Sequence, residues 1–279
     1  MKMLKLILLS AASFAIVACG GGGSPIDRDS LFPSNSYLAY ANDKNANELI
    51  DFIFGYNTDS ILPRTQKKVA NTKRLTVLNF VFEKLKELHK PLNKSKRLTD
   101  YSEICDEGSV YKNAIDANRV ELRYINCQQG DFIYNGTLRE EKTPTKISDK
   151  YLTNFTIRDI YDSSSLIVKR GSSIVSQKLN DEEHKIILNI VTSQNGKSNG
   201  FRDSEFIFNE TEQTMYQISG RIYINNLKEY VKYDSSYDMR YTPFVYADGT
   251  IVDGEARYIF RDALLDLTIN NGEAYYEFK

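Results

Sequence analysis

Chemistry needs nucleophiles, titratable pairs or metal ligands at workable spacings, and this chain of 279 residues holds few of them. Histidine occurs twice, at His89 and His184, amid charged neighbours on separate elements. His89 falls in the last turn of an expected helix, where a cation complements the helix dipole. His184 opens a strand beside Asp181, Glu182 and Glu183, and both histidines read as surface residues. Glycoside hydrolysis needs only two carboxylates at a set separation. Three groups could supply them: Asp159 with Asp162; Asp181, Glu182 and Glu183; and Asp248 with Asp253 and Glu255. The first flanks a strand end and the last frames glycine turns, so turn and solvated-face roles explain them. The last group also lacks the Asp-x-Asp-x-Asp-Gly spacing of a calcium loop. No Gly-x-Ser-x-Gly elbow, His-Glu-x-x-His, phosphate loop or Cys-x-x-Cys occurs. No residue is assigned a catalytic or metal-binding role, and no cofactor is expected.

The thiols are more informative. Lys2 and Lys5 precede an apolar or small-residue run from Leu6 to Ala18, which Cys19 and four glycines follow. A positive start, a short apolar core and a small residue before the cut make a secretory signal. The run is too short for a bilayer span of about 20 residues. Ile16-Val17-Ala18-Cys19 resembles the lipobox of bacterial lipoproteins. This resemblance covers residues 1–24 only. It implies that residues 1–18 are removed, that Cys19 is lipidated, and that the mature chain has the membrane as its partner through an N-terminal lipid. A glycine rather than an aspartate follows the cysteine. By similarity to enterobacterial lipoprotein sorting, this implies the outer membrane. Residues 19–34 are Gly-rich without periodicity and read as a tether.

Cys105 and Cys127 remain, an even pair in an exported chain, where a disulfide is the default. Alternating runs on either side of the turn at 115–118 form a hairpin in which opposed residues sum to about 232–233. Cys105 and Cys127 sum to 232, so they should face each other. The same alternation places Val110, Val120, Leu122 and Tyr124 on the apolar face and both cysteines on the outer one.

Hydrophobic residues make up 41% of the chain and charged residues 26%, which argues for a folded rather than a disordered protein. The charge is distributed unevenly. Between positions 64 and 97 stand eleven Lys or Arg and only two acids, while the rest of the mature chain carries 23 basic against 35 acidic residues. Lys67, Lys68, Lys73, Arg74, Lys84 and Lys86 could face anionic headgroups. Alternatively they hold a basic helix against an acidic sheet, their stems covering apolar area. An envelope location excludes nucleic acid as a partner.

Two helices should precede the strands. Ala46, Leu49, Phe52, Ile53 and Tyr56 share one face over residues 45–56, with Asn42 or Asp43 as N-cap and Gly55 or Asn57 as the stop. A second, broader stripe runs from about 64 to 90. Beyond Ser109 the apolar period becomes two, with Gly220 marking a bulge or bend and Asn271-Gly272 a hairpin. The expected fold is therefore α+β: N-terminal helices packed on a large, curved antiparallel β-sheet of eight to ten strands. The expected organisation is signal peptide 1–18, tether 19–34, helical segment 35–98 and β-rich region 99–279, the last two forming one domain. The expected role is a non-enzymatic binding or structural module of the cell envelope whose partner is a hydrophobic ligand or an envelope protein. The alternative is an envelope hydrolase acting through paired carboxylates.

Overall fold

The computed structural model describes residues 31–55, 76–78, 81, 99–100, 105–142, 147–161, 165–209, 211–234, 243–247 and 250–279. In chain order they form β1 (Tyr37–Leu38), α1 (Asp43–Phe54), β2 (Thr99–Asp100), β3 (Glu107–Ala114), β4 (Arg119–Gln129) and β5 (Phe132–Lys142). Then come β6 (Ile147–Asp159), β7 (Ser165–Val168), β8 (Ser172–Lys178), β9 (Glu183–Gln194), β10 (Lys197–Asn209) and β11 (Thr214–Ile224). The chain closes with β12 (Glu229–Asp234), β13 (Phe244–Ala247), β14 (Thr250–Ile259), β15 (Leu264–Asn270) and β16 (Glu273–Phe278).

All sixteen strands belong to one sheet. From β3 to β16 it is a meander of antiparallel neighbours, in which β7 with β8, and β12 with β13, each act as one interrupted strand. Short turns between alternating runs permit this, because antiparallel neighbours need only a tight connection. β1 joins β12 in parallel, so the sheet is mixed. The α+β expectation is thus corrected: the protein is mostly β, with a single short helix among the described residues rather than a layer of N-terminal helices on the sheet. The strand-forming pattern occupies nearly everything after residue 105 and outweighs the helical residues. Most of the second expected helix, 64–90, lies outside the described residues. Of that stripe Val77, Leu78 and Val81 are described, are helical and are buried in the core.

The core follows from alternation. Inward side chains such as Leu122, Leu138, Phe155, Ile186, Phe206, Ile222, Val231, Tyr258 and Leu267 join α1's Leu49, Ile50 and Ile53 in one buried cluster. With no tryptophan in the chain, tyrosine and phenylalanine fill it, as in the edge-on contact of Tyr124 with Phe155 at 5.4 Å.

A crease crosses this sheet. Pairing slips between Glu107 and Ser109, between Tyr124 and Cys127, and between Asn135 and Thr137. The gap between β7 and β8 falls opposite Asn154, and further slips follow between Phe201 and Ser204 and between Val245 and Tyr246. Asn126, Asn154 and Asp203 take left-handed backbone there, at φ 46°, 51° and 46°. Asn and Asp adopt that conformation more readily than other non-glycine residues. Two of these amides are held by neighbouring side chains: Asn126 N–H donates to Asn135 Oδ1 at 2.8 Å, and Asp203 N–H donates to Asn189 Oδ1 at 3.0 Å. Each bulge inserts a residue, bends its strand and adds twist.

The Cys105–Cys127 disulfide forms, with Cα atoms 5.2 Å apart. The expected register and face are corrected. Val110 pairs with Tyr124 and Ala114 with Val120, one to two residues from the expected pairing. The bulge at Ile125 and Asn126 exposes two successive residues and reverses the alternation, so Cys127 points inward and is fully buried. Cys105 is half-buried against the same core.

Candidate functional site

Leu31 and Phe32, which the expected tether included, are buried. They pack on Val191, Tyr223 and Leu227, with Tyr230 half-buried beside them. This is the sheet face opposite the main core: Ile222 and Ile224 point into that core, so Tyr223 between them points out. Phe32 lies against Tyr223 with ring centroids 4.6 Å apart. Ser36 Oγ then donates to Leu227 O at 2.7 Å, and β1 adds itself to β12 with Tyr37 opposite Glu229. Beyond β1, Arg261 N–H donates to Ala39 O and Ala41 N–H to Asp262 Oδ1, both at 2.8 Å. Residues 31–41 therefore form a strap from the β9–β11 face to the β14–β15 turn.

The strap leads directly into α1. Asn42 caps it by accepting from Asn45 N–H at 2.9 Å, and Gly55 closes it with its N–H on Asp51 O. Asn45 is buried but satisfied: its Nδ2 donates to Tyr40 O, and its Oδ1 accepts from Asn225 Nδ2 at 2.8 Å. Asn225 also donates its backbone N–H to Glu48 Oε1 and its side-chain amide to Glu229. Tyr276 Oη donates to Asp43 Oδ1 at 3.0 Å; burial first, then this carboxylate, pushes the Tyr276 hydroxyl well above its ordinary range. Phe52 meets Phe201 at 4.9 Å and Phe54 meets Phe244 at 5.0 Å.

Beside the strap, Arg202, Arg221 and Lys232 stand directly opposite one another across β10, β11 and β12. Arg221 and Lys232 are exposed next to inward Ile222 and Val231, which puts the row on the outer face. The Arg202 guanidinium lies 5.7 Å from the Phe32 ring centre, and that of Arg221 5.5 Å from Tyr230. Arg261 lies 4.7 Å from Tyr40 at the far end of the strap. Like charges directly opposed across a sheet are unfavourable, and ring stacking offsets a part of that cost. Asp203 Oδ2 is 3.7 Å from Arg202 Nε, and Asp234 follows Lys232 by two residues. On the other face, that of α1, the charge of Glu229 raises the Tyr37 hydroxyl pKa.

Only some of the residues expected from sequence fall among the described ones. Cys19 lies outside the described residues, as do Lys67, Lys68, Lys73, Arg74, Lys84, Lys86, His89, Asp162 and Asp248. Among the described carboxylates Asp159 and Asp181 are separated by register, whereas Asp253 and Glu255 lie two residues apart on β14. Asp159 pairs with Phe132 at one end of β6, whereas Ile147 at the other end pairs with Gln177, next to the turn that carries Asp181. A strand of this length spans about 40 Å. Asp159 Oδ1 accepts from Tyr161 N–H in a turn. Asp181 is bonded to Lys178 at 2.8 Å, which holds its carboxyl below the usual range. Asn180 Oδ1 accepts from the amides of Glu182 and Glu183. His184 is corrected from surface to buried, at 6% exposure, because it shares the inward parity of Ile186 and Leu188. The cation row and Phe32 escaped the sequence reading. The row depends on the register of β10 against β11, which slips between Arg202 and Phe206, and no local signal announces that slip.

The chain matches no protein-family model, no curated protein and no solved structure.

Proposed function

We propose that this chain is a lipid-tethered protein of the bacterial envelope, a non-enzymatic binding or structural module anchored through Cys19 to the outer membrane. The supporting observation is how the chain joins its fold. Leu31, twelve residues after Cys19, is already buried on the sheet's outer face, and the strap that follows is bonded to β12 and to the β14–β15 turn. A flexible segment of twelve residues has a root-mean-square reach of about 20 Å. The fold would therefore be held close to its anchor by a short leash ending in a firm attachment. A partner would be met by the sheet surfaces.

Metabolic labelling with an acyl-chain analogue tests this reading. The wild-type protein should incorporate label and fractionate with outer membranes, and Cys19→Ser should do neither. Label-free wild-type protein, or membrane-bound Cys19→Ser, would overturn it.

A further inference from the structure

We infer that the outer face of β10–β12 rests on anionic lipid headgroups, with the Arg202–Arg221–Lys232 row binding their phosphates. The inference rests on the tethered reading above and names the partner of this face. Three cations stand in direct cross-strand register, which concentrates positive charge along a line that an anion could follow. Guanidinium groups suit phosphate oxygens because they donate two parallel hydrogen bonds. Phe32 and Tyr230 hold two of the guanidinium groups over their rings, which limits the freedom lost on binding. The position fits as well. The strap begins against this face, and twelve residues from Cys19 to position 30 keep it within about 20 Å of the anchor. Asp203 and Asp234 stand in the same neighbourhood but leave the group net positive, so the attraction should be moderate and sensitive to salt.

The test uses the full mature chain carrying Cys19→Ser, so that vesicle binding reports the face without acyl chains. Vesicles of phosphatidylcholine alone are compared with vesicles of phosphatidylcholine and phosphatidylglycerol in equal parts. The protein should sediment with the anionic vesicles and not with the neutral ones, and rising salt should release it. The triple variant R202Q/R221Q/K232Q should weaken anionic binding by at least about tenfold. A control triple, R119Q/R123Q/K178Q, removes the same charge elsewhere and should leave binding unchanged. Circular dichroism and thermal melting establish that each variant is folded. If the row triple fails to fold, Arg221→Gln, which leaves the Phe32 stack intact, takes its place. Binding indifferent to lipid charge, binding that survives loss of the row, or equal loss in the control would overturn the inference. Acylation of wild-type Cys19 is measured separately, so failure of this face and failure of the tether are distinguishable.

Discussion

Gly136 of β5 lies so close to Asn154 of β6 that a Cβ atom on it would sit 2.4 Å from the Asn154 carbonyl oxygen. Its φ of 129° adds a conformation that L side chains rarely adopt. Gly220 faces Ser204 across β10 and β11 in the same way, at φ 149° and 2.5 Å from Ser204 Cα. The crease thus depends on close backbone contact at both halves of the sheet.

Gly136→Ala should therefore destabilise the protein by at least about 2 kcal/mol, through strain and a backbone clash together. Gly130→Ala provides the comparison. Gly130 has φ 55° with nothing within 4 Å of its added Cβ, so only conformational strain is paid, about 1 kcal/mol. Denaturant unfolding of the two variants separates the contributions, and equal costs would refute the contact.

The disulfide joins positions 22 residues apart. In the chain-entropy model, closing that loop stabilises the fold by about 3 kcal/mol. The double variant Cys105→Ser with Cys127→Ser should lose about that much, plus a further cost for placing a hydroxyl at buried Cys127. Cys105→Ala with Cys127→Ala removes the bond without the buried hydroxyl, and the difference in unfolding midpoint between the two doubles measures that further cost.

How much of this was legible in sequence depends on whether a local rule was enough. α1 was readable because Asn42, the apolar stripe at Ala46, Leu49, Phe52 and Ile53, and Gly55 are all local signals, although Ile50, which the stripe omitted, is buried too. The last hairpin was readable because Asn271 and Gly272 dictate its turn, with Asn270 opposite Glu273. Cys105 and Cys127 were paired correctly although the ladder beyond the bulge, where Glu107 faces Gln128, runs further from the expected register. The facing of Cys127 was not legible. A single extra residue in β4 reverses every side chain beyond it, and the interactions that fix the bulge, Asn126 to Asn135 and Gly108, are cross-strand. The surface beside the strap escaped for the same reason. Arg202, Arg221 and Lys232 lie far apart in sequence and meet only through register.

Tyr258 offers a pH test. It is fully buried, and its hydroxyl donates to Gln217 Oε1 at 3.0 Å. Burial raises its pKa well above the ordinary value. The folded state therefore favours the neutral phenol, whereas an unfolded tyrosine ionises near pH 10. Its contribution to stability is complete below about pH 10 and is lost as the pH rises further. Tyr258→Phe should cost about 1 kcal/mol at neutral pH by removing the hydrogen bond. Above about pH 10 its stability should fall less steeply than that of the wild type, by up to about 1.4 kcal/mol per pH unit. Urea midpoints measured across that range decide the matter, and parallel curves would contradict the assignment.

The strap can be tested apart from the rest of the fold. Phe32 contributes an aromatic contact to Tyr223 and a ring beneath Arg202, in a cluster separate from the main core. Phe32→Ala should cost about 2–3 kcal/mol, below the figure for a large core because fewer neighbours surround the ring. That loss should be local. The amide of Ala39, which donates to Tyr230 O at 2.9 Å, and that of Tyr37, which donates to Lys228 O, should exchange hydrogen about 30- to 100-fold faster. The Leu122 amide in the middle of β4 should keep wild-type protection. Uniform loss of protection in both regions would mean that the strap unfolds only with the whole sheet. Unchanged protection at Ala39 would mean that β1, rather than Phe32, fastens the leash.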